Sequence, residues 1–240
     1  MKLNTNGNIY TFIYASVMVI IVAAILAFTA ISLQPAQENN VKVEKMQNIL
    51  QSVGFEPTVE NAEEMFNQYI NKKVLVNTKG EEVQGDAFNT NLKAQTKVKP
   101  EERVLPVYYA KLDDGSEKII IPLTGKGLWG PIWGYVSLNN DYNTIYGTVF
   151  DHKGETPGLG AEINQDFFED MFTGKTLFEG DQFVSITLYK GGKGSAEIAG
   201  DTNHGCDAIS GGTITSKGLE RMMKEEWLFN YEGFLRKNKK

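Results

Sequence analysis

Residues 103–123, RVLPVYYAKLDDGSEKIIIPL, decide how the body of this chain folds. Two runs rich in Val, Ile, Tyr and Leu, 103–112 and 117–123, flank Asp113-Asp114-Gly115. An Asp-Gly step between apolar runs is a strong local signal for two antiparallel strands joined by a tight turn. Further runs of strand composition occupy 73–78, 134–138, 143–150 and 182–190. Helical spacing marks Met46-Ile49-Leu50-Val53, Ala62-Met65-Phe66-Tyr69-Ile70, Ile163-Phe167-Phe168-Met171-Phe172 and Leu219-Met222-Met223-Trp227. The Met and aromatic residues in these segments read as core stripes. Helices early, strands in the middle and one helix interrupting them predict an α+β body, a mixed, largely antiparallel sheet packed with helices. Polar 81–100 reads as a long loop.

Ahead of this body, residues 3–37 contain no charged side chain, and 9–33 (IYTFIYASVMVIIVAAILAFTAISL) are almost wholly apolar. As a helix, 25 residues reach about 37 Å, enough to cross a hydrocarbon layer of about 30 Å. Tyr10, Phe12 and Tyr14 sit where interfacial aromatics do. A cleaved signal peptide is the competing reading, with Ala30-Ile31-Ser32 as its cleavage site, but its apolar core would be shorter. The expected organisation is therefore a short cytoplasmic N-terminus (1–8), one transmembrane helix (9–33) and an extracytoplasmic domain (34–240). Lys2 before the span and balanced charge after it favour that orientation. The span holds no ionisable carboxylate or amine, so it does not form an ion pathway by itself.

A net charge of −6 without a basic stripe argues against nucleic acid as a partner. The single cysteine, Cys206, excludes an internal disulfide framework. His152 and His204 fall in no zinc-ligand spacing, which leaves no metal site to expect. His204-Gly205-Cys206 offers a thiol nucleophile only if something orients the imidazole.

Three loops carry more chemistry. Asp207-Ala208-Ile209-Ser210-Gly211-Gly212-Thr213-Ile214-Thr215-Ser216 sets hydroxyls against glycines just before the 219–227 stripe, with Thr215 or Ser216 as the expected helix cap. A phosphate on Thr213 would lie near the positive end of that helix. His152-Lys153-Gly154-Glu155-Thr156-Pro157-Gly158-Leu159-Gly160 links a strand to a helix, and its glycines allow positive φ and close approach to a ligand. Gly127-Leu128-Trp129-Gly130-Pro131-Ile132-Trp133-Gly134 mounts two indoles among side-chain-free neighbours, where one can offer a flat face to a planar ring.

Together with the N-terminal span and the Asn48-Ile49-Leu50 helix, Gly127-Leu128-Trp129-Gly130, His152 with Glu155–Gly160, and Asp207 with Ser210-Gly211-Gly212-Thr213 resemble the NqrC family, one component of the bacterial sodium-translocating NADH:quinone reductases, whose relatives share a covalent FMN-binding domain. The resemblance spans essentially the whole chain. It implies an electron-transfer subunit, incomplete as an enzyme without its partners, carrying FMN by a phosphoester to Thr213. It further implies that Ser210, Gly211, Gly212 and Thr215 hold the phosphate end, and that Leu128, Trp129, Glu155, Thr156, Gly158 and Leu159 line the flavin. The implied partners are the other membrane and flavoprotein subunits of the complex, plus a flavin transferase during maturation. The implied location is the bacterial inner membrane with the body on the periplasmic side. The family usually reads Ser-Gly-Ala-Thr where this chain has Ser-Gly-Gly-Thr, so Thr215 stays open as a second attachment point. The related G-type electron carrier of the ion-translocating ferredoxin:NAD oxidoreductase (Rnf) complex is the alternative within the wider family. An anchored scaffold without cofactor is the alternative from another class.

Overall fold

A computed structural model describes residues 7–240, and in it the apolar run belongs to one helix, α1 (Asn8–Gln51), of 44 residues and about 66 Å. Lys2 and most of the expected 1–8 segment lie outside the described residues. The separate helix expected from Met46-Ile49-Leu50-Val53 is the last part of α1. Pro35 removes one N–H donor but does not end the helix, because the residues after it (Ala36, Gln37, Glu38 and beyond) propagate it and Gln34 bonds Glu38 one turn on, at 2.9 Å. Between residues 11 and 33 every side chain is exposed, and this helix is long and apolar enough to cross a membrane. The chain divides into two compact units between Lys45 and Met46.

In the second unit, α2 (Ala62–Tyr69) runs directly into β1 (Ile70–Val76), followed by β2 (Glu82–Val83), α3 (Leu92–Gln95), β3 (Leu105–Lys111), β4 (Glu117–Lys126), β5 (Pro131–Leu138) and β6 (Ile145–His152). These strands form one antiparallel sheet in the order β2-β1-β3-β4-β5-β6. The remaining elements are α4 (Asp166–Glu169), β7 (Phe178–Glu179), β8 (Gln182–Phe183), β9 (Thr187–Tyr189), α5 (Ser195–Ile198), β10 (Gly205–Asp207), α6 (Thr213–Arg221) and α7 (Glu232–Asn238). β9 and β10 pair in parallel, which makes the architecture mixed but largely antiparallel, as expected.

The hairpin signal is realised between β3 and β4. Lys111 faces Glu117, and the Gly115 N–H donates to the Leu112 carbonyl at 2.9 Å with Gly115 at φ +79°. The unbroken apolar runs in these strands have a simple cause: both sheet faces are covered. Val107, Tyr109, Ile119 and Ile121 enter the larger core with Leu219, Met222, Met223 and Trp227. Tyr108, Ala110 and Ile120 point the other way, onto Ile49, Leu50, Val53 and Phe66. Trp227 is fully buried and satisfies its indole N–H on the Pro122 carbonyl at 2.9 Å.

Besides the 46–53 helix, which belongs to α1, and the 81–100 loop, which holds β2 and α3, three expected elements differ. The helix over Ile163-Phe172 is broken into Gly160–Asn164, α4 and Asp170–Phe172, because Gln165 is extended (φ −101°, ψ 142°) and restarts the winding. The 182–190 strand is split into β8 and β9, with Ser185 at φ +52° between them. The C-terminal stripe is buried as read, yet α6 widens after Arg221 into a π turn, Met222–Glu226, before Trp227.

Candidate functional site

The second hairpin of β4, with β5, builds one wall of the site. Lys126 faces Pro131, and Gly127 N–H donates to the Gly130 carbonyl at 2.8 Å, which leaves Leu128 and Trp129 at the tip. Trp129 is 71% exposed, whereas Trp133 lies half-buried in β5. β6 pairs beside β5 and ends at His152, opposite Ile132, so the loop that follows leaves the sheet next to this hairpin.

Glu155, on that loop, is 5% exposed. Its Oε1 accepts the backbone N–H of Trp129 at 2.9 Å, and its Oε2 accepts the Thr215 hydroxyl at 2.6 Å. Its own N–H donates to His152 Nδ1 at 3.1 Å, which gives that histidine a local structural task. Two glycines make room for the carboxylate. A Cβ on Gly127 would come within 2.5 Å of Oε1, and one on Gly160 within 2.7 Å of Oε2. Gly158 takes φ +74° and donates to Glu162 at 2.8 Å. Gly160 therefore provides space and Gly158 the left-handed turn.

The third wall is the start of α6. The helix begins at Thr213 with Gly212 as its cap residue, so Thr215 and Ser216 are not the caps they were expected to be. Both are buried in the first turn. Ser216 Oγ donates to the Gly212 carbonyl at 3.0 Å and accepts Ile209 N–H at 3.0 Å, which fixes the preceding turn. Thr215, 1% exposed, is committed to Glu155. Thr213 is half-buried, and its hydroxyl makes no hydrogen bond among the described residues. Gly218 lets α6 lie against the Lys126 carbonyl, where a Cβ would collide.

These walls enclose a cavity of about 250 Å³ lined by Leu128, Glu155, Thr156, Leu159, Gly160, Gly211, Gly212, Thr213, Ile214 and Thr215. Of the residues singled out from sequence, Ser210, Gly158 and Trp129 are not in its lining. Ser210 is exposed and borders a second cleft, while Trp129 stands at the hairpin tip. Gly160, Ile214 and the backing glycine Gly127 fall within the three loops read from the sequence, although they were not singled out there one by one. Ile214 was detectable as an apolar residue off the buried stripe of its helix, and it is indeed exposed.

Asp207 does not enter the cavity. Burial opposes its ionisation, but the N–H groups of Ala196 and Gly194 and the Ser195 hydroxyl outweigh that and hold its carboxyl below the usual range. It thereby pins α5 beside the strand that leads to Ser210. Cys206 is buried, its thiol pushed up to about 12 chiefly by desolvation, and its Sγ–H points at the Met171 carbonyl. His204 Nδ1 lies 2.7 Å from the Thr176 carbonyl, and among the described residues the thiol's hydrogen bond goes to the Met171 carbonyl, not to an imidazole.

Residues 127–226, which include the 127–130 hairpin tip, the 152–160 loop and the start of α6, match the family model described as FMN-binding domain. The chain is 31% identical to the NqrC component of the Na(+)-translocating NADH-quinone reductase of Haemophilus ducreyi, over 97% of this chain and 94% of that protein. It is 29% identical to the corresponding protein of Vibrio alginolyticus, over 87% and 86%. Among solved structures, NqrC from Parabacteroides distasonis superposes with a TM-score of 0.74 at 43% identity, covering 85% of this chain and 96% of that one. NqrC from Shewanella oneidensis gives a TM-score of 0.69 at 28% identity, over 83% and 99%.

Proposed function

We propose, for a chain that belongs to the NqrC family of Na(+)-translocating NADH-quinone reductase components, that it is the FMN-carrying electron-transfer subunit of such a complex and that Thr213 is its attachment residue. The observation that carries the assignment is the contrast between two hydroxyls on one helical turn. Thr215 is buried and already donates to a carboxylate, whereas Thr213 lines the cavity with an uncommitted oxygen. The N–H groups of Thr213, Ile214 and Thr215 find no acceptor among the described residues, so a phosphate ester there would meet both donors and the positive end of α6. Leu128, Leu159 and Ile214 are exposed apolar side chains around the same mouth, and they suit the face of an isoalloxazine.

In this reading the flavin supplies the redox chemistry and the protein supplies position and an apolar rim. A flavin transferase would load it from FAD. A bond forms between the Thr213 oxygen and the FMN phosphorus, the phosphoanhydride to AMP breaks, and the hydroxyl proton is released. A covalent tether suits a domain on the outer side of the membrane, where a dissociated flavin would not be replaced. That side is the periplasmic one, with α1 as the anchor and the other subunits of the complex as electron partners. No observation favours the ferredoxin:NAD oxidoreductase or cofactor-free scaffold readings. Denaturing gels viewed under ultraviolet light test the proposal. Native full-length protein should fluoresce and Thr213→Ala should be dark; a bright Thr213→Ala band would overturn the assignment.

A further inference from the structure

Glu155 is a buried carboxylate with both oxygens already engaged by protein. Oε1 holds the Trp129 amide, on the hairpin tip, and Oε2 holds the Thr215 hydroxyl, in the first turn of α6. Those partners lie 26 and 60 residues away in sequence, and no ion pair with Lys, Arg or His involves Glu155 among the described residues. Gly127 and Gly160 wrap it so closely that neither position has room for a methyl group. Removing one partner of a buried hydrogen bond leaves the other polar group unsatisfied, which costs more than the bond itself contributed.

We infer that Glu155 is a positioning residue, a clamp that fastens the 127–130 hairpin, the 152–160 loop and the first turn of α6 into a single pocket, rather than a group that holds the flavin itself. This inference rests on the proposed flavin site for its purpose but not for its geometry. Thr215 is then the far end of the clamp, and its hydroxyl acts on the hairpin only through the carboxylate.

The test is amide hydrogen exchange at Trp129 in the full-length, detergent-solubilised, flavin-free protein. Thr215→Val keeps the shape of the side chain and removes its hydroxyl. It should accelerate exchange at Trp129 by about tenfold although residue 215 is not bonded to Trp129. Thr215→Ser, which retains the donor, should restore slow exchange. In a Glu155→Ala background Thr215→Val should add nothing further. Near-ultraviolet circular dichroism of each variant confirms that the core around Trp227 is intact. Unchanged exchange in Thr215→Val, or an equal acceleration with and without Glu155, overturns the clamp.

A second arm uses flavin-loaded protein. The visible circular dichroism of the attached flavin should weaken in Thr215→Val and recover in Thr215→Ser; an unchanged spectrum overturns the link between clamp and flavin. Failure to load flavin into the native chain would instead overturn the proposed function, while the exchange result would stand.

Discussion

β4 ends in two hairpins, and they use glycine for opposite reasons. At the β3–β4 turn, Gly115 needs its positive φ and nothing lies within 4 Å of where a Cβ would be. At the β4–β5 turn, Gly127 is crowded, because the Glu155 carboxylate and the Ile132 side chain occupy the space of a side chain. One turn is bare and only reverses the chain. The other is a wall pressed against two distant segments. At these two turns the glycines are set apart by what surrounds them, since both reverse the chain but only Gly127 is packed against a distant carboxyl group.

The same methyl group added to both turns should have unequal effects. Gly127→Ala should cost about 1–3 kcal/mol through overpacking and should abolish or strongly reduce flavin attachment. Gly115→Ala should cost about 1 kcal/mol from left-handed strain and leave attachment intact. Denaturant unfolding and in-gel flavin fluorescence read both; equal loss of flavin in the two variants would erase the distinction.

The site end of the sheet carries a further feature that the bare end lacks. Glu169 accepts the Phe150 N–H at 2.6 Å where β6 approaches the site loop. Burial pushes its carboxyl up to about 7 against that hydrogen bond, with Asp166, Asp170 and Asp151 adding to the rise. A carboxyl raised on folding binds its proton more tightly in the native state, so it lowers stability as pH climbs from about 4.5 to about 7, and the penalty is complete above that. Glu169→Gln should therefore match the native protein below about pH 4 and exceed it by about 1–2 kcal/mol at pH 8, after discounting for partial exposure. Thermal unfolding across that range checks the sign. A gain confined to low pH would contradict it.

Gly212→Ala is the mildest change at this end. The added methyl would stand 3.0 Å from Ile209 Cγ2 and 3.1 Å from the Leu159 carbonyl, so the 156–160 loop must give by a few tenths of an ångström. An adjustment that small should let attachment persist and keep the stability cost below about 1 kcal/mol. A loss of flavin in this variant would show that the loop is far less adaptable than the contacts imply.

The bare hairpin was fully legible because its cause is local. Asp113-Asp114-Gly115 between two strand-forming runs requires nothing from the rest of the chain. The core stripes Ile49-Leu50 and Leu219-Met222-Met223-Trp227 were legible for the same reason, since helical periodicity records burial directly. What escaped was set by tertiary partners. Ile163-Phe172 has the spacing of one helix, yet Gln165 is extended and Glu169 is spoken for by β6. Thr215 has the chemistry of a cap, but Glu155 takes its hydroxyl, and Gly212 starts the helix instead. Of the site, the three loops could be read as motifs, whereas the roles within them could not. Nothing in the spacing of Glu155 and Thr215 reveals that they bond to each other.

The proposed flavin attachment rests on the unequal use of two neighbouring threonines. Peptide mass mapping of native, flavin-loaded full-length protein tests this most directly, through the tryptic fragment 194–217, which contains both. The fragment should carry one flavin phosphoryl group, fragmentation should locate it on Thr213, and Thr215 should be unmodified. A fragment with the group on Thr215, or with none at all, would contradict the assignment.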